Sequence, residues 1–230
     1  MKIKAYTLFT DSHKKFLTDY FIPTFPYREE IELTILHRPQ KCKTASFETD
    51  GWHDTMRDKV NCFIEGINQC SDEEIFMFID PDIQFFGDFY DDIISGLANK
   101  EAIFQNDVFG GVNTGFFAVK NTQKIRSFFK TVLGNLDSFS QEQVLANHLL
   151  TNSARYPAIA IDWAFLPAKY WTYGHIAAIP TTGPDPYRGS WTPDAPDFDV
   201  PEDIVIHHAN WTAGIDNKLK LLNIVRNKLS

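Results

Sequence analysis

Apolar and polar positions along this chain group into short blocks that switch between a two-residue and a 3.6-residue period. Ile3 to Phe9 predicts a first strand, and Thr10-Asp11-Ser12 supplies caps for a helix to about Tyr20, with Pro23 and Pro26 ending it. Glu30 to Leu36 alternates in part and predicts a second strand, followed by a basic, turn-rich loop through Pro39, Lys41 and Lys43. From Trp52 to Asn68 the apolar residues Met56, Val60, Phe63, Ile64 and Ile67 fall at helical spacing. Ile75 to Ile79 is an unbroken apolar run without turn residues, the pattern of a strand buried on both faces.

Beyond that run the pattern predicts a short helix from Asp88 to Leu97 and a strand from Ala102 to Phe104. Gly110-Gly111 makes a break before a strand from Thr114 to Val119. Asn121-Thr122 caps a helix through Leu133, and another starts near Ser140, where Ser140 and Gln143 match a capping box, and reaches Leu150. Strands and helices alternating with short connections predict a single α/β domain with a mostly parallel central sheet flanked by helices. After Arg155 the composition shifts. Ile159 to Ile161 and His175 to Ile179 are expected as strands of a smaller antiparallel portion in the C-terminal third. The proline-rich stretch from Pro180 to Pro201 is expected as a binding loop or lid, Ile204 to Ile206 as a last strand, and a helix is expected from about Asp216, its N-cap.

Composition narrows the function classes. In 230 residues, 43% hydrophobic and 23% charged are globular values, which excludes wholesale disorder. A net charge of -8 argues against a nucleic-acid partner, because phosphates need clustered Lys and Arg. Cys42, Cys62 and Cys70 lack metal-ligand spacing and fit reduced thiols in a reducing, cytoplasmic compartment. No stretch is long and apolar enough for an integral membrane segment.

The candidate chemistry sits where apolar runs end. Pro81 gives the sheet no N–H, so the third strand should stop there and present Asp80 and Asp82 at its carboxyl end, the edge where α/β sheets bind ligands. Two carboxylates one residue apart repel unless a cation or donors lie between them. The last apolar run leads into His207-His208-Ala209-Asn210-Trp211, and alternation on a strand allows one of the two histidines to face the crevice of Asp82. Gly214 and then Lys218, in the first turn of the last helix, are the parts of a phosphate site. Arg57 and Lys59 could reach phosphate from the helix before the third strand, with Lys59 lying nearer the apolar face. Asn113, Thr114, Glu142 and Gln143 could face sugar hydroxyls, although turn and capping chemistry accounts for each of these segments equally well.

Thr7-Leu8-Phe9-Thr10, Lys59, Ile79-Asp80-Pro81-Asp82, Asn113-Thr114-Gly115-Phe116-Phe117, Glu142-Gln143 and the H-A-N-W-x-x-G-x-x-x-K run from His208 to Lys218 follow one another along nearly the whole chain. Together they resemble the GT-A glycosyltransferases, the nucleotide-diphospho-sugar transferase superfamily, and within it the glycogenin-like and plant cell-wall retaining branches. The resemblance implies a single Rossmann-like GT-A domain, residues 1–112 binding the nucleotide and residues 113–230 serving sugar, acceptor and metal-diphosphate. It implies transfer from a nucleotide-sugar, expected to be a UDP-sugar, to a hydroxyl of a glycan acceptor. Asp80, Asp82 and His208 would bind Mn²⁺ or Mg²⁺, and Asp80 would also approach ribose. Gly214 and Lys218 would hold the diphosphate, with Arg57 and Lys59 near it. Thr7, Phe9, Thr10 and Asp11 would hold the nucleoside, and Asn113, Thr114, Glu142 and Gln143 would line the sugar, with Gln143 or Glu142 at the reacting carbon. The interval from His208 to Gly214 is longer than in the glycogenin-like pattern, so His207 and Asn210 remain alternatives as ligands. An inverting enzyme would need a carboxylate base, for which Asp162, Asp185 and Asp194 are in reach. The rivals are a metal-dependent phosphohydrolase, whose D-x-D would follow the first strand, and a non-catalytic nucleotide-sugar or carbohydrate-binding module.

Overall fold

The computed structural model describes the chain apart from residues 44, 46–48, 73, 109, 140 and 178–188. Its main sheet has six strands in the order β2-β1-β3-β6-β5-β7: β1 (Ile3–Phe9), β2 (Ile31–His37), β3 (Ile75–Ile79), β5 (Ala102–Asn106), β6 (Val112–Lys120) and β7 (Trp163–Phe165). β6 alone runs against the others, pairing antiparallel with both β3 and β5. A second sheet, in the order β4-β9-β8, joins β4 (Ile83–Phe85), β8 (Tyr170–Thr172) and β9 (Ile206–His208).

The apolar run of β3 is fully buried, as its unbroken pattern requires, and alternate residues serve opposite layers. Phe76 and Phe78 join a core with helices Trp52–Gln69, Gln123–Gly134 and Glu142–Thr151, while Ile75, Met77 and Ile79 join one with Leu17, Phe21 and Ile93. Phe117 of β6 centres the first layer, with its ring 5.0 Å from Phe63 and 5.4 Å from both Phe104 and Phe129. Replacing it with Leu leaves a partly unfilled site, so Phe117→Leu should lower the free energy of unfolding in urea titrations by about 1–2 kcal/mol.

Five expectations are corrected. The first helical segment continues through Pro23 to Thr24 by widening into a π-helical stretch at Leu17–Phe21. Pro23 cannot donate to the Asp19 carbonyl, and Arg226 of the last helix does so instead at 2.9 Å. Residues Ile159 to Ile161 are not a strand: Pro157 opens a 3₁₀ turn, Pro157–Ile159, and the strand is β7 beyond it. His175 begins no strand either, since Gly174–Ala177 is a helical turn in which the N–H groups of Ile176 and Ala177 donate to the Tyr173 carbonyl. The last strand starts at Ile206, so both histidines lie on it, and the last helix, Ile215–Lys228, has Gly214 as its N-cap with Asp216 inside the first turn. Ser140, Asp185 and much of the Pro180 to Pro201 stretch fall outside the described residues.

Candidate active site

Two strand pairings assemble the site. The Asp80 N–H donates to the Gly115 carbonyl at 2.6 Å, which sets the end of β3 against the N-T-G entrance of β6. After Pro81 the chain turns into β4, which pairs antiparallel with β9 so that Ile83 lies opposite His208. The Ala209 N–H then donates to the Asp82 carbonyl at 3.0 Å. The Asp-Pro-Asp corner and the distant His208 are brought together by this backbone pairing.

At their meeting point His208 Nε2 lies 3.4 Å from Asp82 Oδ1 and 3.8 Å from Asp80 Oδ2. One ligand atom from each of the three residues falls within 4.8 Å of the others. The tautomer follows from a buried neighbour. Gln105 Nε2 donates to the carbonyls of Tyr170 and Trp171 at 3.1 and 3.4 Å, so its Oε1 must be the atom 2.8 Å from His208 Nδ1. His208 Nδ1 therefore carries a proton, and Nε2 is the nitrogen turned toward the two carboxylates. Two carboxylates and an imidazole nitrogen converging in this way are a ligand set that fits a divalent cation, with Gln105 in the outer shell such ligands use. Gln105→Met keeps the volume and loses the acceptor, so Mn²⁺ affinity should fall about 10–100-fold by calorimetry, with Gln105→Glu restoring part of it.

Two lysines hold the same carboxylates. Lys218 Nζ lies 2.6 Å from Asp82 Oδ2, and Lys59 Nζ bridges Asp80 Oδ2 at 3.0 Å and Glu142 Oε1 at 3.2 Å. Burial by itself would raise the Asp82 carboxyl, but Lys218 and His208 outweigh it and hold the group well below the usual carboxylate range. Burial likewise opposes the charge on Lys59, and Asp80 and Glu142 reverse that and raise it above its ordinary value. Asp80, Asp82, Glu142 and Asp107 outnumber Lys59 and Lys218 among these paired groups, a balance that also suits one added cation.

Asp107 organises the far wall. Its carboxylate accepts from Asn113 Nδ2 at 3.0 Å, Gln143 Nε2 at 2.6 Å, Asn210 Nδ2 at 2.7 Å and Trp211 Nε1 at 3.2 Å. Burial still pushes its pKa up despite these donors. Gln143 Oε1 accepts the Thr114 N–H at 3.2 Å, and Thr114 Oγ1 donates to Glu142 Oε1 at 3.0 Å. Glu142 Oε2 is buried with no hydrogen-bond partner among the described residues.

These groups line one cavity of about 670 Å³ that contains Phe9, Thr10, Lys59, Asp80, Asp82, Asn113, Glu142, Gln143, His208, Gly214 and Lys218. Thr114 stands directly behind it through its bonds to Glu142 and Gln143. Three expected residues lie apart from it. Thr7 is fully buried within β1, Asp11 is exposed and bonded to His37, and Arg57 pairs with Asp137. His207 points to the opposite side, where Gln84 Nε2 donates to its Nδ1 at 3.1 Å, and Asn210 is occupied by Thr172 and Asp107. Asp162 pairs with Lys100, also outside the cavity. His13 lines the cavity, its Nδ1 2.9 Å from Ser12 Oγ, and nothing in its sequence context marked it.

Burial, with His208 adding to it, lowers the His207 pKa from 6.5 to about 3. The unfolded chain thus takes up a proton that the folded chain refuses. Stability is full above pH 6.5 and declines as the pH falls toward 3. Urea midpoints measured across that interval should fall less steeply for His207→Gln.

Comparison with known proteins agrees with this architecture. The family model described as nucleotide-diphospho-sugar transferase matches residues 28–222. No curated protein matches the sequence. Among solved structures, a glycosyltransferase involved in glycosylation of the major capsid of PBCV-1 superposes with a TM-score of 0.59 at 10% identity, over 97% of this chain and 100% of that one. The glycosyltransferase GlyE of Streptococcus pneumoniae gives 0.58 at 12% identity over 99% of this chain, which spans 63% of GlyE. The galactosyltransferase LgtC, solved with donor and acceptor sugar analogs, gives 0.52 at 11% identity over 96% of this chain and 95% of that one. At these identities the likeness is one of fold, the GT-A arrangement of a mostly parallel sheet with a smaller sheet beside it. The match of the family model over most of the chain goes further: this chain belongs to the nucleotide-diphospho-sugar transferase family and is a glycosyltransferase.

Proposed function

We propose that the protein is a metal-dependent glycosyltransferase that moves a sugar from a UDP-sugar to a hydroxyl of a glycan acceptor. The observation that carries this reading is the convergence of Asp80, Asp82 and His208 Nε2 beside Lys218, in one cavity. Asp80, Asp82 and His208 would hold Mn²⁺ or Mg²⁺, which when bound supplies positive charge to the departing diphosphate. Lys218 Nζ and the backbone at Gly214 lie where a diphosphate beside that cation would be held, at the start of a helix. Phe9 and Thr10 form the nucleoside end, and residues 1–112 would contribute most of that part.

On the sugar side Asp107 fixes Asn113 and Gln143, and Lys59 fixes Glu142, so these groups meet the donor already oriented. The phosphohydrolase reading loses ground because the nucleotide-diphospho-sugar transferase model matches residues 28–222, the Asp80-Asp82 strand end included. Titrating UDP, GDP and their common sugars by calorimetry with and without Mn²⁺ tests the proposal. Mn²⁺-dependent UDP binding is expected, and its absence would overturn the metal-dependent, UDP-sugar reading. Slow hydrolysis of one UDP-sugar in preference to the others would identify the donor.

A further inference from the structure

We infer that Lys218 is a resident counter-cation which the metal and the donor diphosphate displace together, so that this site binds a divalent cation tightly only in company with a diphosphate. The inference rests on the transferase reading and concerns how the same site is loaded.

Asp82 is only 3% exposed and cannot be left as an unpaired charge. One of its oxygens faces His208 Nε2 at 3.4 Å, and the other is held by Lys218 Nζ at 2.6 Å. Lys218 sits in the first turn of the Ile215–Lys228 helix, where the helix dipole opposes a cation. Asp82 is the carboxylate that Lys218 pairs with among the described residues, and it makes that position tolerable. A divalent cation on the His208-facing oxygen of Asp82 would compete with the ammonium for the same single charge and set it between two positive fields, the metal and the helix N-terminus. A diphosphate removes the conflict, because it accepts Lys218 and the metal at once. The ion pair Asp82–Lys218 is then exchanged for Asp82–metal and Lys218–phosphate, with no charge stranded.

Lys59 is not the exchanged cation. It is held between two carboxylates and keeps Glu142 when Asp80 turns to a metal. Because the coupling is reciprocal, loss of the diphosphate returns Lys218 to Asp82 and weakens the hold on the metal.

Mn²⁺ binding measured by electron paramagnetic resonance and calorimetry at pH 8, with and without saturating UDP, tests the inference. In the unsubstituted protein UDP should tighten Mn²⁺ binding by about 5–150-fold. Lys218→Met should bind Mn²⁺ alone about fivefold or more tightly than the unsubstituted protein, with most of the UDP effect gone. Lys218→Gln, which keeps a polar group at a partly exposed position, should shift in the same direction. If UDP tightens Mn²⁺ in the unsubstituted protein but neither folded variant binds Mn²⁺ alone more tightly, the exchange is wrong and the metal-dependent UDP-sugar reading stands. If Mn²⁺ does not bind even with UDP, the exchange and the metal-dependent UDP-sugar reading both fall.

Discussion

Asp82→Asn is expected to bind UDP with the same affinity whether Mn²⁺ is present or not. Asp82 is the carboxylate shared by every part of the proposed clamp: it faces His208 Nε2, holds Lys218 and accepts the Ala209 N–H on its backbone oxygen. Asn preserves the volume and the backbone bond while removing the charge, so the small sheet should remain paired. The cation then loses a charged ligand from a buried position where water replaces it poorly. Charge stabilisation by a catalytic metal amounts to several kcal/mol, so donor turnover should fall by on the order of 10²–10⁴-fold. Calorimetry of UDP with Mn²⁺ and a donor-hydrolysis assay read the two effects, and near-ultraviolet circular dichroism checks the fold. Undiminished Mn²⁺-dependent affinity in a folded Asp82→Asn protein would remove Asp82 from the metal site.

The residues that the sequence pattern marks well are those with a local physical signature. An apolar run that stops at Pro81 announces the carboxyl edge of β3, and the Lys at the start of the last helix stands against its dipole. What brings them together has no such signature. β4 is three residues long, too short for periodicity to register, yet its pairing with β9 decides that His208 and not His207 faces Asp82. Gln105 depends on a break in register between Phe104 and Gln105, where β5 shifts along β6 and the side chain is re-aimed from the sheet to His208. Asp107 precedes a glycine turn and carries the usual turn composition, so its four donors are visible only in three dimensions.

The misplaced elements have the same origin. Pro23 would end a helix by local rules, but a guanidinium from the far end of the chain takes the carbonyl that Pro23 leaves without a donor. Apolar runs at Ile159 to Ile161 and from His175 suit either a strand or a tight turn. Pairing of β7 with β5 and the Tyr173 carbonyl selected the turns. Of the residues expected to bind the donor, Thr7, Asp11 and Arg57 lie on elements that also line the cavity but turn their side chains away from it, because alternation and helical phase determine direction more finely than position.

Gly115→Ala should disable the site more selectively than any change to its charges. A Cβ at this position would stand 2.2 Å from Asp80 Oδ2, 2.6 Å from His208 Cε1 and 2.8 Å from Asn113 Oδ1. Real Cβ contacts do not reach such distances, so at least two side chains must move, and each is tied to others. Asp80 is bonded to Lys59, His208 to Gln105, and Asn113 accepts the N–H of Gly115 itself at 2.7 Å. Turning the Asp80 carboxylate away opens its contact with the cation position and loosens Lys59 from the bridge to Glu142. Overpacking of this kind costs about 1–3 kcal/mol of stability, which a folded domain of this size tolerates. Displacing a ligand by about 1 Å is worth on the order of 10²-fold in rate, so transfer should fall at least that far together with Mn²⁺ affinity. Gly134→Ala provides the contrast, since a Cβ there meets nothing within 4 Å. That variant should keep full activity and lose no stability. A Gly115→Ala protein with unchanged Mn²⁺ affinity would mean that Asp80 and His208 do not jointly hold the cation.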